Sequence, residues 1–466
     1  MLKPLIAVLG TVLLVGCAHT GTGSQPDAAA RSRFTDDPYP STYRPITAAP
    51  VLISGATILT GTGERLEGAD VLLRGGRIEA IGSNLPASAD ATRVDGRGKW
   101  VTPGLIDIHS HLGVYPSPGV SAHSDGNEMT GPVTANVWAE HSVWPQDPGF
   151  LAAMAGGITT LQVLPGSANL VGGRGVTLKN VPSTSYQGMK FPDAPWGMKM
   201  ACGENPKRVY GQKGGPATRM ANVAGYRAAF IDAAEYLKKN KSGGESEGDK
   251  DNGKRDLKLD TLAAAINGDI KVHIHCYRAD EMTTMLDLAR EFGFKVAAFH
   301  HGVEAYKIAD RLAAEGVCGA LWADWWGFKM EAFDGIQENI ALVDRPKNGC
   351  AIVHSDSEEG IQRLNQEAAK AMANAKRAGI EITPEHAILW LTANPAKAMG
   401  IDGQTGTLEA GKMADVVLWN GNPFSVYAHA EQVYVDGARV YDRNDASRQP
   451  KSDFMLGQDG AIGGVL

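Results

Sequence analysis

At 466 residues the chain exceeds one small domain, and at about 150 residues per domain the length alone suggests two or three. Hydrophobic residues at 43% and charged residues at 21% exclude whole-length disorder, a formal charge of −7 gives no basic field for nucleic acid, and five cysteines are too few for a disulfide scaffold. The 56 glycines and 24 prolines follow no strict period, as expected of a turn-rich globular chain and not of a fibre.

Residues 1–16 carry Lys3 and then an apolar run from Leu5 to Val15, about half the length a membrane-spanning helix needs, which predicts a signal peptide. Residues 17–48 lack an apolar period and are rich in Gly, Ser, Thr, Pro and Ala, the composition of a flexible tether. From Val51, the runs VLISGATIL, ADVLLRGGRIEAIG and ATRVDGRGKWV are short and β-rich, and Gly pairs punctuate them as in hairpins. After Val101 eight apolar runs alternate with helical patterns: GLIDIHSH, GITTLQVLPG, GVTLKNV, GMKMACG, IKVHIHC, KVAAFHHG, GVCGALWAD and CAIVHSD. That alternation predicts an α/β fold, a (β/α)8 TIM-like barrel over 101–399. Within it, EMTTMLDLAREFG and VEAYKIADRLAAEG place apolar residues at helical spacing, and the charged, Gly-rich tract 238–256 is expected to be a solvated surface insertion. The Gly-rich GGRG at 172–175 lacks a phosphate-loop pattern and is expected to be a loop at the barrel mouth. Residues 400–443 return to the β-rich style of 49–100, so both chain ends are expected to build one composite β-sandwich, with 444–466 a mobile tail.

Seven of the twelve histidines fall at the ends of expected barrel strands: His109, His111, His273, His275, His300, His301 and His354, the last beside Asp356. The carboxyl ends of barrel strands build the active site. Residues two apart on a strand point the same way, so His109 and His111 can ligate one metal ion together. A lone buried histidine is more often a core residue, but four strand ends carrying His or Asp point to a site for zinc or a similar divalent ion.

These motifs resemble the amidohydrolase superfamily of metal-dependent hydrolases. VTPGLIDIHSHL at 101–112 matches its first-strand motif; LTANPAKA at 391–398 and the later GTLEAGKMADVVLW match the return from barrel to sandwich. SDGNE at 124–128, LPGSANLVGGRG at 164–175, GENPKRVYG at 203–211 and EAYKIAD at 304–310 are similar to a subgroup related to imidazolonepropionase. The resemblance implies His109, His111, His275, His301 and Asp356 as metal ligands, Asp356 also shuttling the catalytic proton. The fourth-strand ligand is either Glu204 at the strand mouth, slightly favoured, or a carbamylated Lys199 within the strand; one or two zinc ions follow. His273 is expected to be a core histidine or to support a ligand, His354 at best to support one, and His300 to pack behind the barrel. Arg278 and Glu304 lie just past the ligands, where they would meet substrate; for Arg278 a salt bridge to Asp280, Glu281 or Glu304 is the equal alternative. Trp322, Trp325 and Trp326 line an apolar pocket or pack at a subunit contact of a homo-oligomer.

Leu14-Val15-Gly16-Cys17 resembles the bacterial lipobox. That implies lipidation of Cys17, membrane attachment through it and, with Ala18 following, an outer-membrane location facing the periplasm. Of the other four cysteines, Cys318 and Cys350 sit in apolar contexts expected of buried thiols. The function implied is hydrolysis of an amide bond in a small-molecule substrate: a dipeptide, an N-acyl amino acid or a cyclic amide. The alternatives are a deaminase of a ring amidine on the same site and a metal-binding surface lipoprotein without catalysis.

Overall fold

A computed structural model describes residues 33–117, 119–242, 255–325 and 327–449. The expected signal peptide, Cys17, most of the 238–256 insertion, Trp326 and the tail beyond Gln449 lie outside the described residues.

Both chain ends contribute to one eight-stranded sheet. Its strands are β1 (Val51–Leu59), β2 (Arg65–Arg74), β3 (Arg77–Gly82), β4 (Thr92–Asp95) and β5 (Trp100–Pro103). A second eight-stranded sheet comprises β6 (Leu105–Ser110), β7 (Ile158–Val163), β8 (Val171–Lys179), β9 (Gly197–Ala201), β10 (Lys271–Cys276), β11 (Val296–His301), β12 (Cys318–Leu321) and β13 (Ala351–Val353). The chain then returns to the first sheet with β14 (Val416–Trp419), β15 (Ala430–Val435) and β16 (Ala438–Asp442). β14 pairs antiparallel with β5, so strands more than three hundred positions apart meet edge to edge.

The second sheet runs in sequence order from β6 to β13, and its strands are the eight expected apolar runs. One feature departs from a regular (β/α)8 barrel: β8 is antiparallel to both β7 and β9. The cause is local. Only residues 164–170 join β7 to β8, too few for the crossover of a dozen or more residues that a parallel connection needs. GGRG is accordingly not a mouth loop but the start of β8, every residue of which is buried. Gly173, at φ +112°, approaches the Val137 carbonyl so closely that a Cβ there would lie 2.3 Å from its oxygen.

The edges β6 and β13 meet through hydrogen bonds near the site. Buried Asp107 accepts from the Ser355 backbone N–H at 3.2 Å and from the Ser355 hydroxyl, and the Asp356 N–H donates to the His109 carbonyl at 3.0 Å. Outside the strands, the helix Ala279–Phe292 buries Met282, Met285, Leu286 and Ala289, a stripe at three- and four-residue spacing, and stops at Gly293 with φ +80°.

Four expectations are corrected here. The tether does not extend to residue 48 as free chain: Phe34 and Tyr43 are buried, Thr42 N–H donates to the Gln187 carbonyl, and Lys190 pairs with Asp37 at 2.8 Å. The insertion begins later than expected, because the helix Arg219–Ser242 runs through Lys238, and Asp256 caps the next helix, Leu257–Asn267. Residues Ala446–Arg448 of the tail form a short 3-10 turn. Cys318 and Cys350, on neighbouring β12 and the residue before β13, are not thiols but a disulfide, and a second disulfide joins Cys202 to Cys276.

Barrel and composite sheet are tied by a buried charge cluster. Lys179, the last residue of β8, reaches both oxygens of Asp415 at 2.8 and 2.9 Å and Asp436 at 3.1 Å, while the Tyr43 hydroxyl donates to Asp436.

Candidate metal centre

The strand ends place the histidines, but not by simple alternation. In the β10–β11 ladder His275 pairs with His300 and Cys276 with His301, and paired residues share a face. His300 therefore faces the barrel interior together with His275, correcting the expectation that it packs behind the barrel. His301 would point outward on a regular strand. It is brought to the site because its backbone is left-handed, at φ +73°. Asp356 is likewise left-handed at φ +53°, and such conformations in non-glycine residues cost energy that functional sites commonly store.

The Asp356 carboxylate is the centre of the arrangement. It lies 3.0 Å from His111 Nε2, 3.3 Å from His109 Nε2 and 3.8 Å from His301 Nε2. Lys199, fully buried on β9, puts its Nζ 3.3 Å from His109 Nε2 and donates to the Pro165 carbonyl at 3.0 Å. His275 closes another side: its ring lies 4.7 Å from that of His301, and its Nε2 is 3.2 Å from the Asn205 side-chain nitrogen. His301, His109 and His354 ring centroids lie within 5.4 Å of one another.

Burial sets the charge states. It holds His109, His275 and His301 well below the ordinary imidazole range, and it lowers His354 to about 4. These rings are neutral at pH 7, the form whose lone pair ligates metal. Burial also brings the Lys199 ammonium down to about 8, although the Asp356 charge pulls it upward. For Asp356 burial raises the carboxyl and is outweighed: the hydrogen bond with His111 and the nearby Lys199 charge hold it below the usual range.

Whether a metal ion suits this site can be judged from its donors. Both ring nitrogens of His301 and of His354, and Nδ1 of His275, are buried without a hydrogen-bond partner among the described residues. Orphaned neutral imidazoles around a carboxylate are costly unless something occupies their lone pairs. His109, His111 and Asp356 each offer a ligand atom within 4.8 Å of the others, as do His109, His300 and His354. A divalent ion fits this donor set.

The remaining expected residues are placed as follows. Glu204 opens the helix Glu204–Tyr210 and pairs with Lys329 at 3.2 Å; it belongs to neither ligand group among the described residues. Arg278 forks onto Asp280 at 2.9 and 3.1 Å, the bland alternative for it. Glu304 accepts the Ala279 N–H at 2.8 Å, at the start of the helix after β10, and pairs with Lys307. Trp322 is buried and stacks on His301 with centroids 4.3 Å apart; Trp325 stacks on Trp322 and is partly exposed. Sequence reasoning missed Tyr277 and Phe328, which join Trp322 in an aromatic wall, and Lys329, whose Nζ lies 4.1 Å over the Tyr277 ring.

A sequence profile of the amidohydrolase family matches residues 355–441. An amidohydrolase from Thermotoga maritima MSB8 of known structure is 36% identical and superposes with a TM-score of 0.77, over 84% of this chain and all of that one. The chain belongs to the amidohydrolase family. By class it is therefore a hydrolase of carbon–nitrogen bonds. The amidohydrolase tasK of Hapsidospora irregularis is 32% identical over 397 residues, 80% of this chain but 40% of that protein, so the chain spans less than half the length of that relative. An imidazolonepropionase of Legionella pneumophila is 25% identical over 79% of this chain and 92% of its own length.

Proposed function

We propose that this amidohydrolase cleaves an amide bond in a small substrate, a dipeptide, N-acyl amino acid or cyclic amide, with water activated at a divalent metal centre. The observation that carries the reading is the Asp356 carboxylate set among the Nε2 atoms of His109, His111 and His301. His109, His111, His275, His301 and Asp356 would hold the ion. Lys199 supports the reading as a further ligand better than Glu204 does, because its Nζ lies beside His109 Nε2 whereas Glu204 is engaged by Lys329. A depressed Lys199 pKa leaves part of its amine neutral near pH 7, the form that can take up CO2 and become a carbamate.

A divalent ion held by these residues would activate a water molecule and polarise the substrate carbonyl. Asp356 would take the proton released by the attacking water and deliver it to the leaving nitrogen, a task for one carboxylate acting first as base and then as acid. Burial of the surrounding imidazoles keeps them neutral, so they do not compete for the proton. The wall of Tyr277, Trp322 and Phe328 beside His301 suits an apolar substituent near the scissile bond. The direct test is hydrolysis of Xaa-Pro and other dipeptides, N-acyl amino acids and cyclic amides by the purified protein. Release of free amino acid from one of these classes is expected; ammonia released from ring amidines, with every amide left intact, would contradict the reading.

We also propose that the enzyme works in the bacterial cell envelope, anchored through lipidated Cys17 to the outer membrane and facing the periplasm. The two disulfides support an oxidising compartment, where such bonds persist. Cys17→Ser is expected to move the protein from the membrane to the soluble fraction; unchanged fractionation would refute the anchor.

A further inference from the structure

The interior of the barrel holds a row of three imidazoles, of which the proposed reaction uses only His109 and leaves His300 and His273 without a role. His109 Nδ1 lies 2.9 Å from His300 Nδ1, and His300 Nε2 lies 3.0 Å from His273 Nδ1. All three side chains are fully buried. We infer that His300 and His273 are positioning residues, a buried imidazole relay that fixes His109 in the tautomer with its proton on Nδ1 and its Nε2 lone pair turned to the metal site.

The direction of the relay follows from its ends. His109 Nε2 faces the site, 3.3 Å from both the Asp356 carboxylate and Lys199 Nζ, and a ring that ligates through that nitrogen carries its proton on Nδ1. His109 Nδ1–H then donates to His300 Nδ1, which leaves the His300 proton on Nε2, where it donates to His273 Nδ1. Each ring has one choice once the first is made, so the preference at Nε2 of His109 is propagated through two hydrogen bonds. The last nitrogen, His273 Nε2, has no partner among the described residues. Gly197, the first residue of β9, leaves room for this end of the row: a Cβ there would lie 3.0 Å from His273 Cδ2 and 3.0 Å from Gln162 Nε2. A ligating histidine whose other nitrogen is held by a partner is a better ligand, because its ring orientation and tautomer are already set.

The inference rests on His109 as a metal ligand, so its test measures zinc binding itself, by competition with a chelator in the purified full chain. His300→Phe removes both hydrogen bonds and is expected to weaken zinc binding by about 10- to 100-fold, the range found when such supporting partners are lost. His300→Asn keeps an acceptor near the Nδ1 position and is expected to bind within a few-fold of the unaltered protein. His273→Phe breaks only the second link and is expected to fall between the two. A purely structural role would lower the melting temperature of all three variants and leave zinc affinity unchanged. That result, or His300→Asn binding as weakly as His300→Phe, would overturn the relay alone. Should His300→Phe not fold, 15N chemical shifts of the histidine rings in the unaltered zinc-loaded protein give the tautomers directly: protons on Nδ1 of His109 and Nε2 of His300 are expected, and a proton on Nδ1 of His300 would overturn it. An unaltered protein that takes up no zinc would instead overturn the metal-centre reading, and the relay with it.

Discussion

Replacing Asp356 with Asn is expected to lower amide turnover by about 10²- to 10⁴-fold, the contribution of one positioned acid–base group, while leaving the fold in place. The substitution is well chosen for this backbone. Asp356 sits at φ +53°, a region that asparagine enters more readily than other non-glycine residues, and its N–H to the His109 carbonyl does not involve the side chain. What is lost is the negative charge 3.0 Å from His111 and 3.3 Å from His109, and with it both a ligand and a proton acceptor. Steady-state rates, read with a thermal melt of the same preparation, separate the chemical effect from a structural one. A variant that turned over at the rate of the unaltered enzyme would remove Asp356 from the mechanism.

Lys179→Met is expected to destabilise the protein by about 3–5 kcal/mol without touching the metal centre, because it strands two buried carboxylates that now share one cation. Lys179, Asp415 and Asp436 are nearly inaccessible to water, and the cluster joins the end of β8 to the composite sheet. Burial followed by the neighbouring Asp415 charge already raises the Asp436 pKa, with Lys179 opposing. Without the lysine the Asp436 pKa is pushed further up, so the folded state binds more protons than the unfolded one above the ordinary carboxylate range. Stability of the variant should then fall as pH rises from about 4 through that raised value, and its deficit against the unaltered protein should be smaller at pH 5 than at pH 8. Adding Asp415→Asn should recover part of the loss. Denaturant unfolding at the two pH values measures all three effects; a deficit independent of pH would mean that packing and not charge dominates the junction.

The histidines of the proposed metal centre were legible because their spacing follows from strand geometry. HSH at 109–111 and the eight apolar runs are local patterns, and each run proved to be a strand of the second sheet. What was not legible depends on backbone states and long-range register. His301 and His300 are adjacent, and period-two alternation allows only one of them inside; the left-handed turn at His301 admits both. The antiparallel β8 escaped notice because its buried glycines look like a loop until the shortness of the 164–170 link is weighed. Two carboxylates illustrate a further limit. Asp356 stood out through its motif, but the proposed preference for Lys199 over Glu204 rests on the Lys329–Glu204 pair, whose partners are over 120 positions apart in the chain. The pairing of Cys318 with Cys350 likewise required β12 and β13 to be neighbours.

The central claim, a metal-dependent amidohydrolase, is tested most directly by measuring bound metal and amide hydrolysis on one preparation before and after chelation. One or two divalent ions per chain are expected in the active protein, with turnover lost as they are removed and regained when zinc is returned. Full turnover in a protein shown to hold no metal would contradict the account.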